Sequence, residues 1–213
     1  MIKANKNTLI ITSIVTVLPI LAGILLWNRL PDMMATNFGI NNQANGYSSK
    51  TFAVFGIPLV CLALLWFAAF ITAHDPKKQN ISPKMFTLAL WIIPLVSLAV
   101  AAIIYPYNLG CPVDISFVMG LLLGLLFAVL GSYLPKIRQN YTIGIRIPWT
   151  LANEENWDRT HRVGGYLWVI GGISIIILTL TGVPWGGLHY GILAVMVLIP
   201  FGYSFWLHAA GNL

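Results

Sequence analysis

Charge is what this chain has least of. Twelve Lys and Arg and six Asp and Glu amount to 8% of 213 residues, where a soluble domain carries about a quarter. With 58% hydrophobic residues, a water-soluble fold of this length has no means of hiding its apolar surface. Cysteine is scarce too. Cys61 falls in an apolar run and Cys111 in a connection, with no metal-ligand spacing, so neither a disulfide framework nor a cysteine metal centre is expected. The apolar runs themselves hold no Asp, Glu, Lys, Arg, His, Asn or Gln. Ion-coupled carriers, pumps and intramembrane proteases place such groups at depth despite a cost of roughly 2.5 kcal/mol each, so those classes are disfavoured.

What is present is six long apolar runs, at 8–27, 51–73, 85–105, 115–134, 165–182 and 190–207. Each is long enough to cross about 30 Å of hydrocarbon at about 1.5 Å per residue, and lipid demands that backbone groups pair within the segment. The expected fold is an all-α membrane protein of six transmembrane helices. The first run is too long for a cleaved signal core and is expected to be retained. Trp27, Tyr105, Tyr107, Tyr133, Trp149 and Trp185 fall near predicted ends, where aromatic rings favour the water boundary.

Basic residues set the expected orientation. Lys3, Lys6, Lys77, Lys78, Lys84, Lys136, Arg138, Arg146, Arg159 and Arg162 fall on one side, against Arg29 and Lys50 on the other. The positive-inside rule then makes both termini cytoplasmic. The net charge of +6 reports topology and contact with anionic lipid rather than direct nucleic-acid binding. Pro19, Pro58, Pro94 and Pro200 are read as packing kinks. Gly120, Gly124 and Gly131 form a small-residue face suited to close helix packing, within the bundle or across a homodimer.

Two polar segments hold the candidate functional residues. The outer connection 28–50 is long and rich in Asn, Gly and Ser, and is expected to be an ordered loop with a tight reversal at Asn45-Gly46. Its two readings are outer recognition, through Asp32, Phe38, Tyr47 and Lys50, and a solvated connector. The second segment is the cytoplasmic loop 135–164. Pro148 keeps 140–147 extended or irregular, Thr150 is placed to cap a juxtamembrane helix of about twelve residues, and Gly164-Gly165 to end it at a hinge. Glu155 with Arg159 and Asp158 with Arg162 are spaced as ion pairs, and Trp149 and Trp157 as boundary anchors. His161 beside Glu154 and Asp158 suggests acid-base chemistry, but no nucleophile is paired with it. A headgroup site from Arg146, Arg159, His161 and Arg162 is the stronger alternative.

The run Asn140-Tyr141-Thr142-Ile143-Gly144-Ile145-Arg146-Ile147-Pro148-Trp149-Thr150-Leu151, then Glu154, Trp157, Thr160-His161-Arg162 and Gly164, resembles the signature of the SdpI-type immunity proteins of bacterial plasma membranes. Leu30-Pro31-Asp32, Phe38, Gly46 and Lys50 resemble a small domain of unknown function that often precedes it. Regions 1–80 and 81–213 correspond to the two resemblances. They imply a non-enzymatic protein, without metal or cofactor, that protects its producer against a secreted membrane-active peptide, as in sporulation-delay cannibalism. In that system a cytoplasmic repressor is also held at the membrane. The binding residues implied in the cytoplasmic loop are Asn140, Tyr141, Gly144, Arg146, Pro148, Trp149, Thr150, Glu154, Trp157, Thr160, His161 and Arg162. Asn37 and Asn45 depart from the outer pattern, which has His and Asp there, so a metal- or pH-dependent outer site is not expected. A lipid- or small-molecule-handling transporter-like protein is the alternative function.

Overall fold

The computed structural model describes residues 1–39 and 42–211. Among these described residues seven α-helices follow one another: α1 Lys6–Leu25, α2 Ile57–Ala73, α3 Pro83–Asn108, α4 Ile115–Tyr133, the short α5 Pro148–Ala152, α6 Glu154–Leu180 and α7 Gly187–Ala209. With their flanking turns, six of them are long and apolar enough to cross a membrane. Their exposed surfaces are greasy, with Leu25, Phe67, Ile170, Leu180 and Leu198 all open, as lipid-facing helices require.

The connection 28–50, expected as an ordered loop, contains a β-hairpin. Strand β1, Met33–Phe38, pairs antiparallel with β2, Ala44–Ser49. Asn45 and Gly46 lie inside β2, so the expected reversal there is corrected. The chain turns instead between Gly39 and Gln43, where the Gly39 N–H donates to Gln43 O at 2.9 Å. Asn42 takes the left-handed conformation, φ 60°, which asparagine tolerates better than most residues. A bulge near Asn37 breaks the register beyond Ala35.

The chain divides into two compact units. The first, residues 1–70 and 87–119, holds the hairpin. Its core gathers Leu30, Met34, Ala53, Val54, Ile104 and Tyr105. A π-helical turn at Phe52–Gly56 leads into α2 just before Pro58, whose ring supplies no N–H. Polar side chains here bond across helices: the Tyr105 hydroxyl donates to Pro19 O at 3.0 Å and Ser97 to Thr16 O at 2.8 Å. Tyr105 is therefore a core residue and not a boundary ring.

The second unit, residues 71–86 and 120–213, is built on close backbone packing. A Cβ on Gly172 would come within 2.5 Å of Gly124 O and Ala128 N, and one on Gly131 within 2.9 Å of Gly165 O. Gly120 faces Thr179. The small-residue face of α4 is thus spent on α6 inside this unit, the internal alternative of the two read from sequence. Helix α6 runs unbroken through Gly164 and Gly165, which corrects the expected hinge. Those glycines serve packing: Gly165 lies against Pro135, and Gly164 against Ile145. Helix α6 starts one residue after Asn153, whose Oδ1 accepts the N–H groups of Glu155 and Asn156 at 2.8 and 3.0 Å. Asn153, rather than Thr150, is the cap, because Pro148 opens a separate one-turn helix that ends before it.

Candidate functional site

In the second unit, the residues after α2 meet the loop between α4 and α6, and buried polar side chains tie them together. Trp157 has no exposure, and its indole N–H donates to Ile137 O at 2.7 Å, so it is a core residue and not a bilayer anchor. His161 stacks on it, ring centroids 4.0 Å apart. The imidazole bridges two backbone groups. Its Nδ1 lies 2.8 Å from Trp157 O, an acceptor only, so Nδ1 carries the proton. Its Nε2 accepts the Ile145 N–H at 2.9 Å, which requires a lone pair there, so the ring is neutral in this arrangement. Both nitrogens are therefore occupied, and His161 neither joins Glu154 or Asp158 in acid-base chemistry nor completes a headgroup site with the arginines. Gly144 makes the approach possible: its φ is +121°, and a Cβ would collide with His161 Nε2.

Around this pair the loop folds on its own side chains. Asn140, fully buried, accepts the Thr142 and Ile143 N–H groups at 2.9 and 2.7 Å and donates to Arg138 O and Ile143 O. The buried Thr150 hydroxyl accepts the Ile147 N–H at 3.1 Å and lies 2.8 Å from Ile145 O. Gln139 donates to Thr150 O and Leu151 O and accepts from Lys77 Nζ. Deeper, Asn156 ties to α7 by donating to Ser204 O at 3.0 Å while accepting from Ser204 and Thr160 hydroxyls at 2.6 and 3.0 Å. Low dielectric makes each such bond costly to break, because the freed partner stays buried.

Sequence reasoning missed Asp75. Only 3% exposed, its carboxylate accepts the Lys77 N–H at 2.7 Å, the Tyr141 N–H at 2.9 Å and the Thr142 hydroxyl at 2.9 Å. In sequence it is one charge in a short connection; an Asp-Pro step after a span is its only local signal. Asn80 adds a bond to Gln139 O at 2.7 Å.

The remaining named loop residues lie outward. Tyr141, Arg146, Pro148, Glu154 and Arg162 are exposed. Arg146 donates to Tyr141 O at 2.7 Å, and Arg159 pairs with Glu155, as spaced. Trp149, half-buried, packs against Phe201 and Phe205 of α7.

In the first unit, the hairpin is tied down by groups that were not singled out. The Asn108 side chain at the end of α3 accepts the Ala35 N–H at 2.8 Å and donates to Ala35 O at 3.0 Å, acting as a one-residue substitute for a neighbouring strand. Asn42 accepts from the Ser116 N–H at 2.9 Å and donates to Asp114, which itself caps α4 through the Phe117 N–H. Of the expected recognition residues, Phe38 packs edge-on against Tyr107, centroids 4.8 Å apart. Lys50 pairs with Asp32 at 3.0 Å, donates to Trp27 O and lies over the Trp27 ring. Tyr47 stays open, 61% exposed.

A multi-pass membrane protein with a clasped hairpin and a dense, hydrogen-bonded loop assembly is therefore the class this chain defines. Residues 136–204 match the family model described as the SdpI/YfhL protein family, and residues 14–62 that of a domain of unknown function, DUF1648. Over 200 residues the chain is 28% identical to "Immunity protein SdpI" of Bacillus subtilis (strain 168), covering 92% of this chain and 89% of that protein. No solved structure matches it. It is similar to that protein along most of its length, and its six apolar spans make it a multi-pass protein of the bacterial cell membrane.

Proposed function

We propose that the chain is an immunity protein, protecting its cell against a secreted, membrane-active peptide. The hairpin lies outside, and both termini and the loop assembly lie in the cytoplasm. The observation that carries this reading is the likeness to the B. subtilis immunity protein along 92% of the chain, which takes in hairpin and loop assembly alike. Ten basic residues on the loop side against two on the hairpin side support the orientation. Protection proceeds by binding, without turnover. The peptide meets the hairpin, where Tyr47 offers an open ring, while Asp32, Lys50 and Phe38 hold that surface in shape. The buried members of the loop signature shape the cytoplasmic face, and its exposed members, Tyr141, Arg146, Pro148, Glu154 and Arg162, form the surface a repressor docks on.

Expression in a host killed by the sporulation-delay peptide tests the first half: survival is expected, and unchanged killing at equal membrane level overturns it. For the second half, the Arg146→Ala/Arg162→Ala pair is expected to keep protection while a fluorescent repressor leaves the membrane; a repressor that stays membrane-bound overturns it. One observation favours the lipid-handling alternative, an apolar groove of about 350 Å³ between α6 and α7, lined by Leu167, Ile170, Gly171, Leu188 and Met196 among others. No charged side chain lines it, so it has nothing to grip a headgroup with. Lipid scrambling by the purified protein in vesicles would favour that reading.

A further inference from the structure

The two edges of the hairpin are unequal. The Lys50 N–H donates to Asp32 O at 2.8 Å, and this register sends the ladder bonds through Asp32, Met34, Lys50 and Ser48. Met33, Ala35, Tyr47 and Ser49 then point their backbone groups away from the partner strand. On the β1 side this is visible directly, since both groups of Ala35 are taken by Asn108. On the β2 side the Tyr107 hydroxyl accepts the Ala44 N–H at 3.3 Å at the start of the strand, but among the described residues no side chain takes the N–H and C=O of Tyr47 as Asn108 takes those of Ala35. Edge strands are ordinarily blunted by charge or proline. Strand β2, Ala-Asn-Gly-Tyr-Ser-Ser, has neither, and Lys50 at its end is turned back onto Trp27 and Asp32. On the open edge Tyr47 is about three-fifths exposed, and Met33, on β1 one strand further in, is equally exposed on the same hairpin face.

We propose that this edge receives an extended segment of the peptide as a third strand, its backbone bonding to Tyr47 and its alternate side chains resting on the Tyr47 ring. The inference rests on the immunity reading and names how the hairpin holds its ligand. A donor and an acceptor side by side at strand spacing are matched by a backbone; a phosphate oxygen satisfies only the donor. A second copy is the weaker occupant. Pairing β2 with β2 joins few residues, far below the roughly 1,200 Å² of a stable protein interface, and each hairpin is fixed to its own helices through Asn108.

The test uses the full chain in phosphatidylethanolamine/phosphatidylglycerol nanodiscs and synthetic sporulation-delay peptide. Tyr47→Pro removes an N–H that β1 does not use, whereas Tyr47→Ala removes the ring and keeps the N–H. Peptide affinity is expected to fall at least about tenfold with Pro and about threefold with Ala. Hydrogen exchange in Tyr47→Pro checks that the Met34 and Ser48 amides stay protected, so that loss of the hairpin is not mistaken for loss of the edge. In the wild-type protein, adding peptide is expected to slow exchange of the Tyr47 amide. Single N-methyl groups along the peptide are expected to block binding at alternate residues of one segment. Binding that withstands Tyr47→Pro and every N-methyl variant overturns strand addition and leaves immunity intact. Peptide-independent crosslinking of two chains by Tyr47→Cys makes the occupant a second copy. No binding of unmodified peptide overturns the immunity reading and this one with it.

Discussion

The hairpin and the loop assembly satisfy their backbones in opposite ways. The loop assembly turns its polar side chains inward: Asn140, Thr150, His161 and Asp75 each hold two or more backbone or hydroxyl groups, and what reaches the surface is mostly charge. The hairpin is tied to groups outside itself, through Asn108, Asn42 and Lys50, and at Tyr47 its β2 edge is left unclaimed among the described residues. A segment whose bonds are all spent internally is suited to keeping a shape, and one with bonds to spare is suited to taking a partner. The same polar residue types thus give rigidity in one unit and an opening in the other.

The sharpest way to break this contrast is Gly144→Ala. Positive-φ strain of about 1–3 kcal/mol adds to the loss of the His161 bond to Ile145, so a destabilisation of about 3 kcal/mol or more is expected. Thermal unfolding in detergent and proteolysis at residues 138–147 report it; a wild-type profile would mean the loop is held some other way. His161→Ala is expected to cost about 2–3 kcal/mol, because Ile145 N–H and Trp157 O are left buried without partners. Asp75→Asn comes next, at about 1–2 kcal/mol: one of its three donors would face an amide NH2, and proteolysis should rise at residues 140–142 before any change in the hairpin. Asn108→Ala is the counterpart in the other unit, expected to cost about 1 kcal/mol and to speed hydrogen exchange at Ala35 while leaving the loop assembly untouched. The smallest effect belongs to Arg162→Ala, which should leave the unfolding temperature unchanged; a large drop would show that the exposed face is not free for a partner.

The six spans were legible because lipid permits few solutions: a run of twenty apolar residues must bond within itself. The hairpin was not. Met33 to Phe38 lacks the alternation of a half-buried strand, since Met34 and Ala35 are adjacent and both buried, and the Asn-Gly pair pointed to a turn two residues too late. The pair Gly164-Gly165 read as a helix end by soluble-protein rules, but in a membrane helix glycine is where another backbone comes close. The loop signature was recognisable as a pattern while its work was hidden, because a sequence does not show that His161 and Gly144 touch. Asp75 was invisible for the same reason: its three partners lie next to it or some seventy residues away.

Helix α6 has twenty-seven residues and so runs roughly 40 Å, about 10 Å more than the hydrocarbon is thick. Its first turns carry Trp157 and His161, and no joint separates them from the part that lies among lipids. The rod is continuous across its middle, through Gly171 and Gly172. A swing of about 10° would sweep its tip through about 7 Å. Whatever leans on the greasy stretch therefore moves the wet end as a lever does, and Asn156, bonded to Ser204, obliges α7 to follow the stroke.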